Sequence, residues 1–137
     1  MKKNLAFTIN TLEQAEQIIL ETKKYNIKPV LHFKNYILKG FGPEFVIVFN
    51  KMLITKFGKS NFKLFVDCGY DSIICINMAI EKIDYLKLRG NSIIISKIKN
   101  IAIKNRVLLN KPFHIVDFRN RKNVKLKLEK IYFKEKK

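Results

Sequence analysis

The residues that staple, hinge or interrupt a chain are scarce here. The 137 residues include two cysteines, three prolines, five glycines, two histidines and no tryptophan. Cys68 and Cys75 are too few for a disulfide framework and lack CxxC spacing, so reduced thiols and a cytoplasmic protein are expected. His32 and His114 are far apart in sequence, and a zinc site would need both of them with both cysteines, or carboxylates; no metal is expected. No Pro/Gly-rich linker, low-complexity stretch or internal repeat divides the chain, so a single domain over residues 1–137 is expected. A domain of this size buries roughly 70% of its unfolded surface, enough for a core without cross-links. No uninterrupted apolar run approaches the 18 or so residues of a membrane helix. The opening Met1-Lys2-Lys3 leads into a stretch broken by Asn4, Thr8, Asn10 and Glu13, which argues against a signal peptide and a membrane partner.

Acidic residues are also scarce. Asp and Glu total 11 against 28 Lys and Arg, a formal net charge of +17. That excess invites a nucleic-acid partner. Its make-up discounts the inference, because 24 of the 28 are Lys and only Arg89, Arg106, Arg119 and Arg121 are Arg. Phosphate and base recognition leans on the planar guanidinium fork. Ile, Lys and Asn number 20, 24 and 13, all from AT-rich codons, so coding drift alone fills surface positions with lysine. The segment 119–137 is the most basic, with nine basic and two acidic residues, and reads as a solvated terminal helix or a phosphate-contact surface.

Apolar residues make up 47% of the chain, which excludes disorder. Their pattern alternates strand and helix. Leu5–Ile9 reads as a strand, and Thr11-Leu12-Glu13-Gln14 as a capping box opening a helix with Leu12, Ala15, Ile18, Ile19 and Thr22 on one face. Pro29–Phe33 is a second strand. After a looser segment through Gly40 and Gly42, Pro43 to Phe57 is a second helix, closed by Gly58. Phe62–Asp67 is a third strand, apolar on both faces as in a covered parallel sheet. Asp71 or Ser72 caps a third helix to about Ile83, Tyr85–Leu88 is a fourth strand, and Ser92 to about Asn105 a fourth helix. Val107–Leu109 is a short fifth strand and Phe113–Val116 a further extended run. In the tail from Arg119, Val124, Leu126 and Leu128 alternate with Lys as in a strand, while Val124, Leu128, Ile131 and Tyr132 fit a helix face, and the preceding alternation favours a closing helix. Such alternation predicts an α/β fold: a small, doubly wound parallel sheet of about five strands in flavodoxin-like or Rossmann-like order. A half-barrel is less favoured, because an open half leaves its inner face uncovered.

Val66-Asp67-Cys68-Gly69, followed by an apolar helix and a strand ending Lys87-Leu88-Arg89-Gly90, resembles a group of small uncharacterised α/β proteins from alphaproteobacteria. In these a strand also ends in Asp-Cys-Gly. The resemblance covers about residues 60–110 and implies no activity and no catalytic residues.

Gly58-Lys59-Ser60 is not a phosphate loop, because Leu53 stands where the motif needs glycine and the glycine ends a helix instead of a strand. No GxGxxG follows the first strand, where Asn10-Thr11 is the whole turn, so no NAD, FAD or other cofactor is expected. In open parallel sheets, ligands bind where loops leave the C-terminal ends of strands. Those ends supply Asn10 and Thr11, His32 and Asn35, Asp67 and Cys68, Arg89 and Asn91, and Asn110. Helix N-termini open there too, which favours an anion. Arg89 is the leading candidate, an arginine in a lysine chain, with an Asp67–Arg89 ion pair as the structural alternative. Cys68 near a helix start could be a nucleophile, Asp67 an acid or base, and each equally a packing or turn residue. The expected function is a small anionic-ligand-binding domain, with a nonspecific RNA- or DNA-associated protein and an enzyme using Asp67 or Cys68 as alternatives. Apolar residues encircling the second and third helices predict a homodimer through them.

Overall fold

A computed structural model describes residues 4–120 and 123–135. Arg121, Lys122, Lys136 and Lys137 of the basic segment lie outside the described residues. The chain runs β1 (Leu5–Thr8), α1 (Leu12–Lys23), β2 (Val30–Phe33), α2 (Asn35–Phe41), α3 (Pro43–Phe57), a 3-10 turn, β3 (Lys63–Asp67), α4 (Ser72–Ile80), β4 (Tyr85–Lys87), α5 (Ser92–Lys104), β5 (Leu108–Leu109), β6 (His114–Asp117) and α6 (Val124–Glu135).

Local chemistry places these ends. The Thr11 hydroxyl accepts from the Gln14 N–H at 3.2 Å while the Gln14 side chain accepts from the Asn10 and Thr11 N–H groups, the capping box expected for α1. Pro43 opens α3, and Gly58 ends it with φ +86°. The segment before Pro43, expected to be loose, folds as α2 because burial of Ile37 and Leu38 offsets a glycine in its last turn. α4 stops at Ile80, short of the expected Ile83, where Glu81 and Lys82 turn the chain and Lys82 takes a left-handed φ of 61°.

The α/β class and the all-parallel sheet are as expected. Six strands are present among the described residues, because the extended run after Phe113 supplies β6. Their order is β5-β4-β3-β2-β1-β6, so the direction of winding reverses at β1. Register places Phe7, Leu31, Leu64 and Leu86 on one face, and these join the large core with residues from α1 to α6. The other face carries Ala6, Val30, Phe65 and Tyr85, and no helix residue among those described joins that smaller cluster. Phe113 covers it instead, its ring 5.0 Å from Phe65 and 4.9 Å from Tyr85.

The cover follows from chain length. β5 and β6 are opposite edges, five strand spacings apart, or roughly 24 Å in a flat sheet. Only residues 110–113 join Leu109 to His114, a reach of roughly 18 Å. The sheet must therefore curl until its edges approach, and the connection must cross the concave face. This supplies the inner cover whose absence argues against a half-barrel.

Candidate ligand-binding cleft

At the C-terminal ends of β2, β3 and β4 the concave face opens into a cleft of about 890 Å³. The period-two alternation of strands sends His32, Phe65, Asp67 and Lys87 to this face, with His32 beside Phe65 and Asp67 beside Lys87 across the ladder. Lys34 follows β2, Arg89 follows β4, Lys111 lies on the β5–β6 connection and Lys39 on α2. Five cationic side chains thus line the cleft, and Asp67 is its one carboxylate among the described residues. Phe65 and Phe113 form an apolar wall, and Tyr36 and Tyr70 stand at the rim, Tyr70 76% exposed.

His32 is 5% exposed. Its Nδ1 lies 2.8 Å from the Thr8 hydroxyl, and its ring rests 4.7 Å from Phe65. Burial pushes its pKa down from 6.5 to about 4; nearby Asp67 opposes this, while Lys34, Lys87 and Arg119 add to it. The imidazole is therefore neutral at pH 7. Nε2 makes no hydrogen bond among the described residues, no buried side-chain polar atom among them is left unpaired, and His32 lines the cleft, so Nε2 reaches the open cleft.

Asp67 accepts the Gly69 N–H at 2.9 Å, an Asx turn. Gly69 is required there: its φ is +60°, and a Cβ would stand 2.9 Å from the Asn35 side chain, which donates to the Asp67 carbonyl. The Gly69 carbonyl accepts the Arg89 N–H at 2.7 Å. No ion pair joins Asp67 to Arg89 among the described residues, which removes the structural alternative for Arg89; its guanidinium is exposed at the cleft edge.

Of the sequence candidates, the cleft brings together His32, Asp67 and Arg89, with Asn35 and Asn110. It does not gather Asn10, Thr11, Cys68 or Asn91. Asn10 accepts from the Tyr36 hydroxyl, Thr11 caps α1, and Asn91 caps α5 by accepting the Ile94 N–H at 2.9 Å. Asp71 caps α4 likewise, so in each of these three helices the cap side chain holds one first-turn N–H. Cys68 is fully buried. A hydrogen bond with Cys75 and burial push its thiol pKa up, which suits packing and not a nucleophile. Asn110 extends the β-ladder, its amide bonding both the N–H and the carbonyl of Leu88.

Lys34, Lys39 and Lys111 carry no mark in the sequence, because one lysine among 24 gives no signal. Only Lys87 is recoverable, since it alternates with Tyr85 and follows the register of Asp67. Arg119, in sequence the first residue of the basic tail, forks onto Asp117, with Nη2 at 2.6 Å from Oδ2, and lies over the Tyr36 ring. The guanidinium holds the Asp117 carboxyl down to about 2.

These features define an α/β domain with a parallel sheet and a cationic cleft at its C-terminal edge. No protein-family model and no curated protein sequence matches the chain. Solved structures do, among them one assigned as a fructose-1,6-biphosphate aldolase from Coccidioides immitis, with TM-score 0.60 and 10% identity. The match covers 78% of this chain and 44% of that one, less than half its length. At that identity the likeness establishes the fold alone.

Proposed function

We propose that the protein is a cytoplasmic domain that binds a small anionic ligand bearing a phosphate or carboxylate group in this cleft. One observation carries the reading: among the described residues, five cationic side chains converge on a concave cleft lined by a single carboxylate. Free thiols at Cys68 and Cys75 suit a reducing compartment, and no helix among the described residues is long and apolar enough to cross a membrane.

Thermal shift and calorimetry with orthophosphate, citrate and fructose 1,6-bisphosphate, against sodium chloride at matched ionic strength, test it. At least one of these anions is expected to stabilise the fold. Lys87→Met is expected to weaken that binding by roughly ten-fold or more, since a hydrogen bond to a charged group contributes about 1.5–3 kcal/mol. Arg89→Lys keeps the charge and loses the fork, so it is expected to weaken binding with the fold intact. Anisotropy with a generic RNA or DNA supplies the competing outcome. Binding that falls steeply with salt and ignores Lys87→Met would favour the nonspecific polyanion partner.

A further inference from the structure

We propose that His32 is the innermost hydrogen-bond donor of this cleft, an uncharged imidazole locked as the Nε2–H tautomer by Thr8 and offered to an oxygen of the bound anion. The inference rests on the reading of the cleft as an anion site and specifies which atom meets the ligand.

The lock follows from hydrogen-bond accounting. Thr8 is fully buried, and the His32 Nδ1 is the one partner its hydroxyl has among the described residues. A hydroxyl carries a single hydrogen. Were Nδ1 the protonated nitrogen, it would donate to Thr8 and leave that hydroxyl hydrogen buried without an acceptor, a cost of about 1–3 kcal/mol. Donation from Thr8 to Nδ1 satisfies both groups and places the imidazole proton on Nε2, the nitrogen that reaches the cleft. The register fixes the pair, because Thr8 on β1 and His32 on β2 are direct partners on the concave face.

The surroundings keep the ring neutral. Phe65 on β3 packs against it, Lys34 beyond β2, Lys87 on β4 and Arg119 beyond β6 oppose a further positive charge, and Asp67 on β3 is the group that favours one. An imidazolium would add Coulomb attraction but would have to be desolvated among cations. A neutral N–H avoids that cost and still supplies direction. The lysines then act as mobile charges around a fixed donor, and the ligand must place an acceptor oxygen at Nε2. Phosphate and carboxylate oxygens both meet that requirement.

Two-bond ¹H–¹⁵N correlation spectra of the ligand-free protein test the tautomer directly, with His114→Gln assigning the signals of the two histidines. The Nε2–H tautomer is expected at pH 7, and Thr8→Val, which removes the hydroxyl at nearly constant volume, is expected to release a mixture of tautomers. An Nδ1–H tautomer or an imidazolium in the parent protein would overturn the proposal without touching the reading of the cleft. Orthophosphate titration tests the contact. The His32 Nε2 resonance is expected to shift on binding, His32→Phe to weaken phosphate by roughly ten- to a hundred-fold, and His32→Gln, which keeps a donor near Nε2, to stay within a few-fold of the parent. Phosphate binding unchanged by His32→Phe sinks the donor role alone. Failure of the parent to bind orthophosphate, citrate or fructose 1,6-bisphosphate sinks the cleft reading and the donor role with it.

Discussion

His32 shows how one buried side chain couples the fold to pH. Its folded pKa is about 4 against 6.5 for the ordinary imidazole. As pH falls, the unfolded chain takes up the proton first, so this group costs nothing above pH 6.5 and destabilises the fold increasingly as pH drops toward 4. At pH 4.5 the loss amounts to about 2–3 kcal/mol, since each ten-fold difference in proton affinity between the folded and unfolded chain corresponds to about 1.4 kcal/mol. Denaturant titrations of the parent and His32→Gln at pH 7 and pH 4.5 are expected to show the larger pH-dependent loss in the parent. Equal losses would mean that His32 accepts its proton in place. Two aspartates divide by partner: Asp117 is tied to Arg119, whereas Asp67 binds a backbone N–H and makes no ion pair with a cleft cation among the described residues.

At the scale of elements, residues that look like ligands turn out to hold helix ends. Thr11, Asp71 and Asn91 each accept an N–H of the first turn of their helix. Thr11→Ala and Asn91→Ala are each expected to lower stability by about 1 kcal/mol in urea unfolding and to leave phosphate affinity unchanged. A change in affinity at either position would return that residue to the site. Gln14 has a longer reach: its side-chain nitrogen donates to the Arg119 carbonyl at 2.9 Å, tying the start of α1 to the chain beyond β6. The same capping box therefore starts a helix and fastens the edge of the curled sheet.

For the whole molecule, the outer faces of the helices bear on assembly. α3 buries Val46, Phe49 and Leu53 and leaves Val48 and Met52 exposed; α4 buries Cys75, Met78 and Ala79 and leaves Ile73 and Ile80 exposed. We keep the homodimer through these two helices as a proposal, because Val48, Met52, Ile73 and Ile80 stand exposed on them, interspersed with Glu44, Lys51, Lys56 and Asn77. Ile74 is half-buried and packs on the core, whereas Ile73 is 71% exposed and serves as the probe. Light scattering is expected to show a dimer at micromolar concentration and Ile73→Asp a monomer of unchanged circular dichroism. A monomeric parent protein would remove the dimer.

The sequence by itself determined the alternation of strands and helices, the capping of α1, the all-parallel sheet and the edge at which the cleft opens. Those properties are local or periodic, as in Thr11 with Gln14, Pro43 with Gly58, and the continuous apolar run at Leu64-Phe65-Val66. It also marked His32, Asp67 and Arg89, since strand-end positions are readable once strands are. Tertiary structure decided the rest. Only strand order shows that the short link from Leu109 to His114 must cross the concave face, which curls the sheet and sets Phe113 over Phe65. Only register places Thr8 against His32, 24 positions apart in the chain. Lysines near-uniform in sequence line one cleft because curvature turned four of them toward one hollow, a property of spacing in three dimensions that no local pattern encodes.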